Sequence, residues 1–285
     1  MRFADEAGRA GDGSVGGRPT GNVPRIMEDA GSVTLDSGVV ICRFDTLRGG
    51  RLQRFGWRAP EPANAHAAGA SVGWGMIELV DTERGAVIDH FLPLSTGFEQ
   101  VASGQYEEYG DFAQGPFRSQ VVDAGGELRV GLLRDGQIRA GRRVAEVRMA
   151  KSAAVRPGAS DLAYLYRVIN SSLRPIQVLF ALEFNLYAPG MHDRQEQADG
   201  YYLVDGSRPD SHASLGSPGA SSGVTTMALV NPQLRMALQL GWDRECDLWR
   251  FPLEEGRASV RVMAVWRLQL PPRDNWAMGL WLAPG

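Results

Sequence analysis

Two cysteines in 285 residues, Cys42 and Cys246, rule out a disulfide-rich scaffold, and their wide separation gives no metal-ligand spacing. They read as reduced core thiols, with a single bridge between them left open. No run of about 18 apolar residues occurs, and residues 1–30 carry no apolar signal-peptide core, so a soluble cytoplasmic protein is expected. No charge of one sign dominates either. Lys+Arg 30 against Asp+Glu 33 leaves a net charge of -3, which gives no electrostatic case for nucleic acid or an acidic membrane surface. Lysine itself is almost missing: Lys151 stands alone among dispersed arginines, which read as solvated faces and local carboxylate pairs. There is no G-x-S-x-G, Walker, dinucleotide or H-E-x-x-H pattern. The four histidines, His66, His90, His192 and His212, show no zinc spacing, and in Asp89-His90 the two neighbours would face opposite sides of a strand. No metal and no cofactor is expected.

What is present is strand signal. With 44% hydrophobic residues the chain can bury a large core. Residues 1–30, rich in Gly, Arg and Asp, read as a flexible N-terminal arm, and 31–285 as one β domain. Strands are expected at Val33–Leu35, Val39–Phe44, Leu52–Trp57, Trp74–Val80, Glu127–Leu133, Ile138 onward, Arg142–Met149, Leu162–Ile169, Val224–Val230, Leu234–Leu240, Ser259–Leu270 and Trp276–Leu282. Ser259–Leu270 holds a period of two for its whole length, which a helix would not do. Asp135-Gly136 has the chemistry of a tight hairpin turn between two of these strands. Thr96-Gly97-Phe98-Glu99 has the form of a capping box opening about two turns of helix that end at Gly104. Residues 205–223, made of Gly, Ser, Pro and Asp, read as a long mobile loop. The fold class is therefore all-β: large antiparallel sheets packed face to face, with very little helix.

The segment VLFALEFNLY, Val178 to Tyr187, divides by parity into two unlike faces. Val178, Phe180, Leu182, Phe184 and Leu186 suit a core, while Glu183, Asn185 and Tyr187 line the other side. A carboxylate, an amide and a phenol in one row suit a polyhydroxylated ring; they equally suit the wet face of an ordinary strand. Acid/base work needs two titratable groups in reach of one substrate, and Glu183 with His90 or His192 is the pairing to consider. Among the aromatics, Trp266 and Trp276 fall on the core parity; Trp57, Trp249, Trp281, Tyr106 and Tyr109 fall at strand ends or in polar loops.

Four segments in order carry a resemblance: Asp89-His90-Phe91-Leu92, Tyr106-Glu107-Glu108-Tyr109-Gly110-Asp111-Phe112, Phe180-Ala181-Leu182-Glu183-Phe184-Asn185, and Asp247-Leu248-Trp249-Arg250-Phe251-Pro252-Leu253. With the turn Arg48-Gly49-Gly50-Arg51-Leu52, residues 33–285 resemble the C-terminal β domain of glycoside hydrolase family 57 enzymes, the α-amylase and 4-α-glucanotransferase group. The resemblance implies a galactose-mutarotase-like β supersandwich. It implies no catalytic residue here, because the family's carboxylates and His-Gln-Pro motif belong to a barrel, and this chain has no His-Gln-Pro and no alternating β/α region. Glu254-Glu255-Gly256-Arg257 also passes into a strand where the family continues in a polar stretch. The leading expectation is a non-catalytic domain that binds or organises α-glucan, or that partners a separate catalytic subunit. Glu183 and Asn185 would hydrogen-bond the sugar, Tyr187 and Trp249 would stack on it, and His90 would donate nearby. A mutarotase-like or lyase-like sugar enzyme and a protein-interaction module are the alternatives.

Overall fold

Period-two segments become strands because alternate side chains can be buried on one side while every backbone amide finds a partner across the ladder. A computed structural model describes residues 23–58, 76–124, 126–191, 199–210, 214–252, 254 and 258–285. Its first half holds β1 (Arg25–Asp29), β2 (Ser32–Asp36), β3 (Val40–Asp45), β4 (Arg51–Trp57), β5 (Ile77–Glu78), β6 (Ala86–Leu92), α1 (Phe98–Ala102), β7 (Arg118–Asp123) and β8 (Leu128–Ala140). There follow β9 (Arg143–Val155), β10 (Leu162–Asn170), β11 (Ile176–Leu186), β12 (Tyr201–Val204), β13 (Gly219–Asn231), β14 (Met236–Arg250), β15 (Val260–Leu270) and β16 (Asn275–Pro284). The fold is all-β and antiparallel, as expected.

The strands run in one hydrogen-bonded path, β1-β2-β3-β4-β6-β11-β15-β14-β16-β10-β9-β8-β7, that curls until its two halves face each other. Phe44 of β3 meets Tyr164 of β10 edge-on at 6.1 Å, across the sandwich. The turn of the path lies in β14, whose residues 247–250 pair with β15 and whose residues 238–242 pair with β16. One strand thus serves both layers. Phe180, on the parity predicted for the core, sits between Phe91, Tyr166, Trp266 and Trp276 with ring centroids 5.2 to 6.2 Å away. Cutting a side chain so enclosed to Ala costs about 3–5 kcal/mol.

Lys151 is fully buried in this core. Its Nζ lies 2.5 Å from Asp89 Oδ2, donates to Gly49 O at 2.7 Å and sits 4.7 Å from the Phe117 ring. Burial pushes the Asp89 carboxyl up and the Lys151 ammonium down, and each charge opposes the shift of the other. Asp89 therefore faces the core while its neighbour His90 faces the other side of β6, as strand alternation requires.

Several expectations change. Asp135-Gly136 is no turn: both residues lie inside β8, and the two-residue turn comes later, where Ala140 pairs with Arg143 around Gly141 at φ +59. Glycine is needed at 136 for close approach, since a Cβ there would stand 2.4 Å from Asp111 Oδ1 and 2.7 Å from the Phe112 ring. Residues 25–29, placed in the arm, form β1 on β2; residues 1–22 lie outside the described residues. The stretch read as a loop ends early, because β13 begins at Gly219. The helix is a single turn of five residues capped at Gly97, whose N–H donates to the Gln100 side chain, one residue off the expected box. Both cysteines are buried free thiols, which burial pushes well above their usual range. No helix among the described residues is long and apolar enough to cross a membrane.

Candidate functional site

The side of β11 that turns away from the core is flanked by β6 and β15 in a register that no single segment reveals. Ala181 pairs with His90 and Val265, Glu183 with Ile88 and Met263, and Asn185 with Arg261. On β14, Trp249 is opposite Met263 and Asp247 opposite Val265. Leu92, Leu179, Ala181, Trp249, Met263 and Val265 share this face and form a second apolar cluster with Val101 and Phe251, against which Phe98 and Tyr106 pack. The chain between β6 and β7, including α1, is thus laid across the face. Phe98 stacks on Phe251 with centroids 5.3 Å apart. Beside His90 the strand carries a bulge: the register shifts between Glu183 and Phe184, and Val87 holds φ +61, which is strained for a β-branched residue.

Within that cover lies a closed set of charges. His90 Nδ1 donates to Glu108 Oε2 at 2.7 Å, and the other oxygen of Glu108 accepts from the N–H groups of Phe91 (2.8 Å) and Gly110 (3.1 Å). Glu183 Oε2 takes Nε and Nη2 of Arg261, each at 3.0 Å, while Oε1 accepts from the Asn185 amide at 2.9 Å. His90 Nε2 stands 3.7 Å from Glu183 Oε2, beyond hydrogen-bond length, and has no bonded partner among the described residues. Burial lowers the pKa of His90, yet the Glu108 bond and charge, with Glu183 and Asp89 behind, outweigh it and hold the imidazole above its ordinary 6.5. Burial raises the pKa of Glu183, but Arg261, His90, Asn185 and Arg84 together bring it below its usual value. The result is an ion-paired network in which Glu183 is held charged and the imidazole is drawn toward imidazolium.

Each residue singled out by sequence can now be located. Glu183 and His90 come together, at 7% and 8% exposure. Asn185 is fully buried and its amide also donates to Gly85 O at 3.0 Å, so it ties β11 to the turn before β6. Trp249, at 7% exposure, packs as a wall of the second cluster and offers no open ring face. Tyr187 lies just beyond β11, half-buried, its N–H on Leu79 O at 3.1 Å. His66, His192 and His212 lie outside the described residues. Two members of the network were not singled out. Arg261 was visible as a charge on the second parity of Ser259–Leu270, and Glu108 as an acid in the second resembling segment; only the register joins them to Glu183 and His90. The face continues past Val265 into an open cleft of about 550 Å³ lined by Arg244, Asp247, Arg267 and Trp276. There the Arg244 guanidinium lies 5.7 Å from the Trp276 ring centre.

The sequence matches the family described as alpha-amylase/4-alpha-glucanotransferase, C-terminal, over residues 77–255, more than half of the chain. This chain belongs to that family. The match includes β6, α1 and β11, and with them His90, Glu108, Glu183 and Asn185 of the charged network; Arg261, on β15, lies beyond it. Among solved structures, the chain is similar to 4-alpha-glucanotransferase from Thermococcus litoralis at 15% identity and TM-score 0.61. The similarity covers 92% of this chain and 39% of that one, so this chain spans well under half of the glucanotransferase. A galactose mutarotase-like protein from Clostridium acetobutylicum aligns over 92% of this chain and 98% of its own, with 8% identity and TM-score 0.64. Another from Lactobacillus casei aligns over 92% and 100%, with 12% identity and TM-score 0.59. At such identities the structures establish a shared galactose-mutarotase-like fold. A search of the curated proteins finds no match.

Proposed function

We propose that this chain is a carbohydrate-associated β supersandwich that binds or organises α-glucan on the face carried by β11, β15 and β14, without transferring protons. The observation that carries the reading is the family match over residues 77–255, a family whose name joins α-amylase and 4-α-glucanotransferase. Glu183 is spent on Arg261 and Asn185 beneath the α1 segment, so it acts as an anchor, and the ligand surface is the adjoining cleft of Arg244, Asp247, Arg267 and Trp276. Planar charged groups around an indole suit the hydroxyls and C–H faces of a glucose unit. Titration calorimetry with maltooligosaccharides tests this. Binding lost in Asp247→Ala and kept in Glu183→Gln is expected; absence of heat with every glucan tried rejects the reading.

One observation favours a second reading. An unbonded His90 Nε2 at 3.7 Å from a carboxylate is a geometry from which a sugar hydroxyl could be held and its proton moved, the type of pair a mutarotase-like enzyme needs. Polarimetry of freshly dissolved α-aldoses decides it: a catalysed approach to the anomeric equilibrium that His90→Asn abolishes would replace the binding reading.

A further inference from the structure

A second concavity, of about 780 Å³, lies beside Tyr109, the residue after Glu108 of the charged network, and is within the usual size range of small-ligand sites. Four pieces of chain form it: the turn after β6 with Pro93, Leu94 and Ser95, the segment between α1 and β7 at Tyr109, the β8–β9 hairpin end, and the turn between β10 and β11 with the start of β11. Its walls include Ile138, Val144 and Pro175; its polar groups include Arg143, Arg174, Gln177 and Tyr109. No carboxylate among the described residues lines it. In a chain of net charge -3, two guanidiniums here without an acidic partner among the described residues leave a local positive field.

Hydrogen bonds fix the backbone that carries these groups. Asn170, fully buried, donates to Arg174 O at 2.7 Å, and Ser172 bonds both Arg174 O and Arg174 N, at 3.0 and 3.2 Å. Arg143 is the first residue of β9, set by the two-residue turn around Gly141. Tyr109 is held on both sides, its N–H on Phe91 O and its carbonyl accepting from Arg139 N, each at 2.8 Å.

We propose that this cleft is a separate binding site for a small organic oxyanion, a phosphate or carboxylate carried on a body about the size of one or two sugar rings. Arg143 and Arg174 take the oxyanion through charge-assisted forks, Gln177 and Ser95 meet hydroxyls, and Tyr109 with the aliphatic walls covers the apolar side. The site does not depend on glucan binding at Asp247.

Amide NMR shifts of Ser95, Tyr109 and Gln177 read the site directly. Glucose 1-phosphate and glucuronate are the two probes, which separate a phosphate from a carboxylate source, with glucose and inorganic phosphate as controls. At least one probe is expected to shift these amides saturably where glucose does not. Arg143→Gln and Arg174→Gln should each weaken it about 10- to 100-fold, the loss of one charge-assisted contact, while Asp247→Ala leaves it unchanged. Three results overturn the proposal: no shifts by either probe up to about 10 mM, shifts unaltered in the double variant, or equal affinity for inorganic phosphate alone. Failure here leaves the maltooligosaccharide result at Asp247 untouched, and the reverse also holds.

Discussion

Replacing Arg261 by Met separates an anchoring role for Glu183 from a ligand-holding one. The substitution keeps the aliphatic stem that lies under Phe251, whose ring centre is 4.6 Å from the guanidinium, and removes the charge. Glu183 then keeps one cation within ion-pair distance, His90 at 3.7 Å, in place of two, with the charge of Arg84 behind. At an effective dielectric near 20, a cation ~3 Å from the carboxylate supplies ~5.5 kcal/mol of attraction and one at 3.7 Å ~4.5 kcal/mol. Much of the first figure only offsets the cost of desolvating the pair, so the net loss expected is about 3 kcal/mol, the low end for breaking a buried pair.

The loss should depend on pH in a set direction. A histidine whose folded pKa is raised contributes stability fully below its unfolded value and loses it as pH rises through the folded one. While His90 is charged it shields the orphaned carboxylate, so Arg261→Met should cost about 2 kcal/mol near pH 6. Above the folded pKa of His90 the cost should grow to about 4 kcal/mol. Urea unfolding followed by fluorescence of the core tryptophans, at roughly pH 6 and pH 9, measures both. The double variant Glu183→Gln with Arg261→Met should recover most of the loss. A cost below about 1 kcal/mol at both pH values, or a double variant no milder than the single one, refutes the anchor.

Three other outcomes are expected. Lys151→Met strands Asp89 in the core and should cost about 3–5 kcal/mol in urea unfolding, most of it restored by adding Asp89→Asn; an unchanged midpoint would show the pair to be dispensable. Stability compared between wild type and His90→Asn should differ most below about pH 6.5 and converge as pH rises, because the raised imidazole is the group lost; a gap that widens with pH contradicts the Glu108 bond as its cause. Gly136→Ala should destabilise by about 1–3 kcal/mol through contact with Asp111 and Phe112; an unchanged urea midpoint contradicts the close approach.

Parity made the composition of the β11 faces readable: Phe180 and its set fill the core, and Glu183 and Asn185 turn the other way. What parity does not contain is the partner strand. His90 and Glu183 are brought together by a pairing across 93 positions whose register depends on the bulge at Val87, and a shift of one residue there would have placed Asp89 on this face instead. Asp135-Gly136 misled for a related reason. Local turn chemistry was correct for those two residues, but Asp135 is committed across the sheet to Arg118 and Arg148, and Gly136 makes room for a loop more than twenty residues earlier. Trp249 read as a surface ring because it ends a strand, while the segment that buries it, Phe98 to Tyr106, carries almost no sequence signal of where it lies.

The network also constrains what chemistry the face can perform as it stands. Proton transfer near neutral pH needs a group that both takes and gives up a proton there. Glu183, held below its usual pKa chiefly by Arg261, stays charged and is a weak base. His90, bonded to Glu108 through Nδ1, has its free Nε2 directed toward a carboxylate that favours the protonated ring. The Glu183 shift opposes a carboxylate base at this position, and the paired charges favour a clamp that fixes the α1 segment to the sheet. A sugar hydroxyl inserted between Nε2 and Oε2 would have to displace that mutual attraction before any proton moved. The binding reading therefore predicts that Glu108→Gln loosens the α1 segment, seen as faster amide exchange at Val101 and Tyr106, with glucan affinity at Asp247 preserved. The enzymatic reading predicts instead a pH–rate profile whose acid limb moves down when Glu108 loses its charge, because the imidazole then titrates lower.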